Sequence, residues 1–311
     1  MATPTEIAVA TYNMSWASAN GHDCVKDSSP TECNFLLSNP RVDDKYFLWE
    51  NAMKLLIKFL NEQNRKGIPC IVGLQEVNHS GQGQINTIDT IEQQLKKSYE
   101  NKLIHEYHIV RGYDGREGAA IIYNKVLGRV KHERNYDKSF NYTKSTGKPS
   151  GTDRPLHMVY TDQGYLIVNT HFPHDSDRLT KFYDRLQCTI ASFIQEHKIK
   201  QYRAIFVVGD FNTSMPQNPF KINQHTGVVN KIIDLKFNGS APKSCCFGSL
   251  TFKGSHSKDY TRTGDLVYST LQNSGNIEIY HGINGPGGRS IESDHQFVYQ
   301  KYKYSSIPQN F

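Results

Sequence analysis

The sequence predicts one α/β domain over residues 1–311, with mixed strands and helices outside them. Short apolar runs of strand length alternate with amphipathic stripes of helical period along the whole chain, and no boundary divides it into halves. A chain of 311 residues also buries enough apolar surface to fold without a disulfide or metal staple.

The elements follow in order. The first apolar run is Ile7 to Tyr12. Trp49, Ala52, Met53, Leu56 and Leu60 then recur at spacings of three and four, which makes one helical stripe. The run Cys70 to Leu74 reads as a buried strand, followed by a shorter stripe of Ile88, Ile91 and Leu95. Runs from Ala119 to Tyr123 and from Tyr165 to Thr170 read as strands. Leu179, Phe182, Leu186, Ile190 and Phe193 form a third helical stripe. Ala204 to Val208, Asp265 to Ser269 and Gln296 to Tyr302 complete the strands. Long Gly/Ser/Asn-rich loops, such as Ser15 to Asn39 and Gly282 to Ser293, interrupt this series, and long loops inside a domain are more often functional than idle.

Composition excludes several classes. Hydrophobic residues at 37%, with 18 Tyr and 15 Phe, exclude wholesale disorder. Mean hydropathy is −0.60, and no apolar run approaches the ~20 residues of a membrane span. The first residues lack a basic segment and a long apolar segment, so no secretory signal is expected and the protein is read as intracellular. Six irregularly spaced Cys read as reduced thiols. The net charge is +6, and residues 125 to 154 alone hold eight Lys/Arg against three acids. Tyr136, Phe140 and Tyr142 interleave with those cations. Cations neutralise phosphates and aromatic faces stack on unpaired bases, so this stretch favours a nucleic acid partner; a solvated hairpin is the plainer reading.

The informative feature is where the strands stop. Apolar runs end in Thr11-Tyr12-Asn13, Gly73-Leu74-Gln75-Glu76, Asn169-Thr170-His171 and Gly209-Asp210-Phe211-Asn212. Gly264-Asp265 opens another run, and Ser293-Asp294-His295 leads into the last. Sites are built at such strand ends when helices flank the sheet. The oxygen donors of Asn13, Glu76 and Asp294 suit a hard cation, Mg²⁺ or Mn²⁺, and the absence of Cys and His among them argues against zinc. The remaining His and Asp residues suit proton transfer and phosphate contact.

These six blocks, in this order and spacing, resemble the motif series of the endonuclease/exonuclease/phosphatase superfamily, the deoxyribonuclease-I-like fold, from residue 11 to 295. The resemblance implies a four-layer αββα sandwich, with two mixed β-sheets packed face to face and helices outside. It also implies metal-dependent phosphoester hydrolysis. Carried over by position, Asn13 and Glu76 hold the divalent ion, with Asp294 as a further ligand. His295 is the catalytic base or phosphate-polarising imidazolium, oriented by Asp265. Asp210 positions or deprotonates the attacking water, Asn212 hydrogen-bonds a phosphate oxygen, and His171 lies against the phosphate. Tyr123 and Arg154 fall where the family often has substrate contacts.

Within the superfamily the motifs narrow the choice. Residues Asp259 to Asp265 lack the Pro-Ala-Trp-Cys-Asp-Arg type motif of inositol polyphosphate 5-phosphatases. His171 replaces the Tyr usual in exonuclease-III-type abasic endonucleases, and GDFN followed by Thr213-Ser214-Met215 departs from the GDTN-plus-Arg pattern of tyrosyl-DNA phosphodiesterases. General nucleases and neutral sphingomyelinases carry both GDFN and this His. The sequence therefore predicts a phosphodiesterase, first a nuclease acting on DNA or RNA. A phosphatase or sphingomyelinase-like lipid phosphodiesterase on the same site is the alternative, and a non-catalytic nucleic-acid-binding protein is a third reading.

Overall fold

Two mixed sheets lie face to face, one of six strands and one of five. The structure is a computed structural model. It describes residues 5–14, 47–77, 87–99, 106–112, 118–136, 140, 154–173, 178–213, 216–225, 230–244, 263–281 and 295–304. Their elements are β1 (Glu6–Asn13), α1 (Phe47–Arg65), β2 (Cys70–Gln75), α2 (Thr87–Tyr99), β3 (Tyr107–Arg111), β4 (Ala119–Asn124), β5 (Val130–Tyr136) and β6 (Leu156–Thr161). There follow β7 (Tyr165–His171), α3 (Leu179–Glu196), β8 (Ala204–Asp210), β9 (Phe220–His225), β10 (Asn230–Leu235), β11 (Asp265–Ser269), β12 (Glu278–Ile279) and β13 (Val298–Lys303). No described helix is long and apolar enough to cross a membrane.

The first sheet has the order β12-β13-β1-β2-β4-β3, the second β11-β8-β7-β6-β5, and β9 and β10 form a separate antiparallel pair. Each large sheet has one parallel pair, β1 with β2 and β7 with β8. Both parallel pairs are wholly or almost wholly buried and read as continuous apolar runs, as strands covered on both faces must. Side chains alternate between faces with period two. On β1, Ala8, Ala10 and Tyr12 pack with Leu56, Phe59 and Leu60 of α1 and Ile88 and Ile91 of α2. Ile7 and Val9 face the other sheet. The outer face of the second sheet is covered by Phe182, Tyr183, Leu186, Ile190 and Phe193 of α3. These helices and strands are the αββα sandwich the motifs imply.

A polar belt joins the sheets just below one end. Gln75 Nε2 donates to Thr11 Oγ1 at 3.1 Å and to Asn169 Oδ1 at 2.6 Å. Asn169 Nδ2 in turn donates to the carbonyls of Leu74 and Ala120 at 2.8 and 3.0 Å. Buried amides are tolerated only when satisfied in this way, and the belt sets the register of one sheet against the other. Gly73 is required at this crossing: a Cβ there would lie 2.3 Å from Val208 Cγ2 and 2.8 Å from Asn169 Oδ1.

The basic stretch differs from its reading as a stacking surface. Phe140 is fully buried and packs on Phe172 with ring centroids 4.7 Å apart. It is a core residue, because the apolar ring finds the core between α3 and the second sheet, at Phe172 and Phe182, within reach. Arg134 lies over the Tyr136 ring and pairs with Glu196, while Lys125 pairs with Glu106 and Arg129 with Asp162. Tyr142, Lys138, Lys144 and Lys148 lie outside the described residues.

Candidate active site

The same two-residue alternation that builds the core also builds the site. Going up the inner face of β7, Tyr165 and Ile167 give way to Asn169 and then His171. On β8, Phe206 and Val208 give way to Asp210. The parallel register sets His171 beside Asp210, and the antiparallel register sets Asp265, the first residue of β11, on Asp210's other side. Three neighbouring strands thus present His, Asp and Asp in one row. Across from it stand Asn13 at the end of β1 and Glu76 just past β2. His295 precedes β13, whose pairing with β1 brings it to the Asn13 end.

Asp210 is the hub of the group and is fully buried. Its Oδ2 accepts from Asn13 Nδ2 at 3.2 Å, and lies 3.4 Å from His171 Nε2 and 3.6 Å from His295 Nε2. Its Oδ1 accepts from the Asn212 backbone N–H at 2.9 Å. Asn13 Nδ2 also donates to Glu76 Oε1 at 3.0 Å, and that oxygen is 4.0 Å from His171 Nε2. On the other side, His295 Nδ1 is 2.9 Å from Asp265 Oδ2. His295 is therefore held between two buried carboxylates, with its Nε2 edge toward the centre. Burial first, then the charge of Asp210, pushes the Asp265 carboxyl up to about 6, against the opposing pull of His295 and Ser244.

Two site residues sit in left-handed backbone, Glu76 with φ 57° and Asn212 with φ 45°. Asn adopts this conformation readily, whereas Glu does so at a cost of order 1–3 kcal/mol. Strain retained at a carboxylate that turns into the site is a mark of function. Gly209, with φ 155°, lets β8 run close to β7, since a Cβ there would lie 2.0 Å from the Thr170 carbonyl oxygen.

The structure thus brings together Asn13, Glu76, His171, Asp210, Asp265 and His295. Arg154 joins them: it is buried, and its Nη1 lies 2.5 Å from His171 Nε2 and 3.1 Å from Nδ1. Asn212 is present with a different engagement, since its Nδ2 donates to the Phe172 carbonyl at 2.8 Å. One N–H of that amide is thereby used, and Oδ1 is buried without a partner. Asp294 lies outside the described residues.

Tyr123 does not belong to the site, which corrects its reading as a substrate contact. β4 runs antiparallel to β2, so Ala119 pairs with Gln75 at the site end while Tyr123 pairs with Ile71 at the other. The ring is fully buried in the inter-sheet core against His108. The end of an apolar run marks a site only when the strand points toward it, and an antiparallel strand reverses that end.

One residue escaped the sequence reading. Ser244 is fully buried, and its Oγ accepts from the backbone N–H groups of Asp265 at 2.9 Å and Gly264 at 3.2 Å. Its carbonyl accepts from Gln296 N–H at 2.7 Å. It ties the start of β11 to the segment after His295, and so holds the imidazole against Asp265. No apolar run precedes Ser244 in the sequence, so strand-end reasoning passes over it.

The donors fit a divalent cation. Glu76 Oε1 and Asp210 Oδ2 are gathered on a single amide, which is an oxygen-rich arrangement suited to a hard ion. Asp210, Asp265 and His295 also form a buried cluster, with ligand atoms all within 4.8 Å, that can hold a metal.

No protein-family model matches the chain, and no sequence among the curated proteins does. Solved structures match over nearly the whole chain. An endonuclease/exonuclease/phosphatase family protein from Bacteroides thetaiotaomicron superposes with TM-score 0.53 at 16% identity, covering 96% of this chain and 98% of that one. ANGEL2, a 2′,3′-cyclic phosphatase, gives 0.52 at 15%, covering 96% and 95%. A truncated TDP2 from Caenorhabditis elegans gives 0.50 at 16%, covering 96% and 97%. The chain has the deoxyribonuclease-I-like fold, and the resemblance carried by the six motifs holds at that level.

Proposed function

We propose that the protein is a divalent-metal-dependent phosphodiester hydrolase that cleaves DNA or RNA by in-line attack of water. The observation that carries this reading is the imidazole of His295, bonded to Asp265 at Nδ1 and facing Asp210 at Nε2. A carboxylate on one ring nitrogen selects the tautomer and raises the basicity of the other, which suits proton transfer near neutral pH.

Asn13 and Glu76 would hold the cation, with Asp294 beside His295 in sequence as a further ligand. When bound, a Mg²⁺ or Mn²⁺ ion neutralises charge on the non-bridging oxygens of the phosphate. The chain's own groups supply the rest. Asp210 orients the attacking water and takes up its proton. His171 and Arg154 lie together against a phosphoryl oxygen that gains charge in the transition state, with the guanidinium as a donor, and the free N–H of Asn212 serves a second oxygen. His295 sits across Asp210, positioned to polarise the phosphate or relay the proton.

The net charge of +6 supports a polyanionic substrate. One panel tests the reading: single- and double-stranded DNA, RNA, sphingomyelin and phosphoinositides in one Mg²⁺ buffer, each with and without EDTA. Cleavage of nucleic acid that EDTA abolishes is the expected result. Exclusive turnover of a lipid or a phosphomonoester would move the same site to another substrate class.

A further inference from the structure

We propose that a groove between the C-terminal end of α3 and the start of β5 is a second ligand site, one that takes the phosphoryl group of a nucleotide-sized ligand on Lys131, Lys198 and Lys200 beside the stacked His132–His197 pair. The groove measures about 500 Å³, within the range of small-ligand sites. It is lined by those five residues with Tyr160, Asp162, Ile199 and Gln201. It lies at the opposite end of the second sheet from the catalytic row. Tyr165 begins β7 near it and His171 ends β7 in the active site, a span of about 20 Å at the rise of a strand.

Charge favours an anion here. Among the described residues none of the three lysines has an ion-pair partner, whereas Lys125, Arg129 and Arg134 nearby are each paired. The groove's acid, Asp162, already accepts from the Arg129 backbone N–H at 2.8 Å and faces its guanidinium. The end of α3 contributes only about half a unit of negative charge, against three whole ammonium charges.

The backbone is bent to make this arrangement. Lys131 is the extra residue of a β-bulge, since Val130 pairs with Thr161 and His132 with Tyr160. A bulge re-aims the side chain it carries. Lys198 occupies the left-handed position of a helix-ending motif, with φ 50°, its N–H on the Gln195 carbonyl and the Ile199 N–H on the Ile194 carbonyl. Glycine is the residue that position ordinarily takes. A lysine there is less stable than glycine, and it is part of the groove's lining.

Two imidazoles complete the lining. The rings of His132 and His197 stack with centroids 4.4 Å apart and planes 20° from parallel, and Tyr160 also stacks on His132 at 6.1 Å. His197 is partly exposed and lines the groove. Ammonium and imidazole N–H groups are all donors, and a phosphoryl group, with three acceptor oxygens, matches such a lining better than a single carboxylate does.

The test reads the ring resonances of His132 and His197 by NMR, so binding in the active site does not confound it. Inorganic phosphate and adenosine monophosphate should shift both histidines saturably, while adenosine should not. The double variant Lys131→Glu/Lys200→Glu should weaken adenosine monophosphate binding at least tenfold. Lys198→Gly should weaken it while melting no lower than wild type, which separates lost binding from lost fold. A short single-stranded oligonucleotide that shifts the same rings at lower concentration than adenosine monophosphate makes the source a polynucleotide; the reverse order makes it a free nucleotide. Unmoved histidines with both phosphate probes, equal effects of adenosine and its monophosphate, or undiminished binding by the double variant would overturn the proposal. Hydrolysis of a phosphodiester by these variants should match wild type, so this result and the test of the active site stand apart.

Discussion

His295 Nδ1 lies 2.9 Å from Asp265 Oδ2, and both side chains are buried. A surface ion pair is worth ~0–1 kcal/mol, whereas breaking a buried one leaves an unpaired charge and costs about 3–5 kcal/mol. If Asp265 acts through His295, each alanine variant should lose on the order of 10²–10⁴-fold in turnover. The double variant should be little worse than His295→Ala alone, because groups acting as a unit are non-additive. Steady-state kinetics on the four proteins check this, and additive losses would show that Asp265 has a separate task.

The raised Asp265 carboxyl sets a pH dependence. Its pKa moves from 3.8 to about 6 on folding, so the folded state binds the proton more tightly than the unfolded chain. The ionised carboxylate therefore destabilises the fold: the penalty is absent below the unfolded value, grows through the window between the two values, and is complete above about 6. Activity has the opposite slope, since only the carboxylate can accept from His295. Turnover should rise through pH 6, and Asp265→Asn should lower the plateau and remove that limb. A wild-type profile flat from pH 5 to 8 would contradict the assignment.

Glu76→Gln removes one unit of charge from the oxygen cluster and keeps its shape. Mg²⁺ affinity by calorimetry should fall by about tenfold or more, following the dependence of such sites on ligand charge. Equal affinities would exclude Glu76 as a ligand.

Gly73→Ala places a methyl group 2.3 Å from Val208 Cγ2 where the sheets cross. Overpacking of this kind costs about 1–3 kcal/mol. Thermal unfolding should register it as a clear drop in Tm, and an unchanged Tm would mean that the sheets separate there at little cost.

Much of this was legible because burial on both faces leaves a plain mark. The strands from the runs at Ile7, Cys70, Ala119, Tyr165, Ala204 and Asp265 all appear, and the three helical stripes fall in α1, α2 and α3. β5, with the sequence VKHERNY, was not legible: it is an edge strand, mostly exposed, and carries no apolar period. The site was legible where a parallel strand ends in it, as with Asn13, His171 and Asp210. Tyr123 misled because strand direction is invisible in a run of apolar residues. Ser244 was silent because it works through backbone groups of other segments, and no local pattern records such a role.

The most direct measurement is turnover of bis(4-nitrophenyl) phosphate and of an oligonucleotide by the Mg²⁺-loaded protein, with EDTA and His295→Ala as controls. Hydrolysis of both, abolished by EDTA and reduced at least a hundredfold by His295→Ala, is the predicted result, in line with the scale of general-base loss. A folded, metal-loaded protein that turns over no phosphoester, or whose rate is indifferent to His295→Ala, would contradict it.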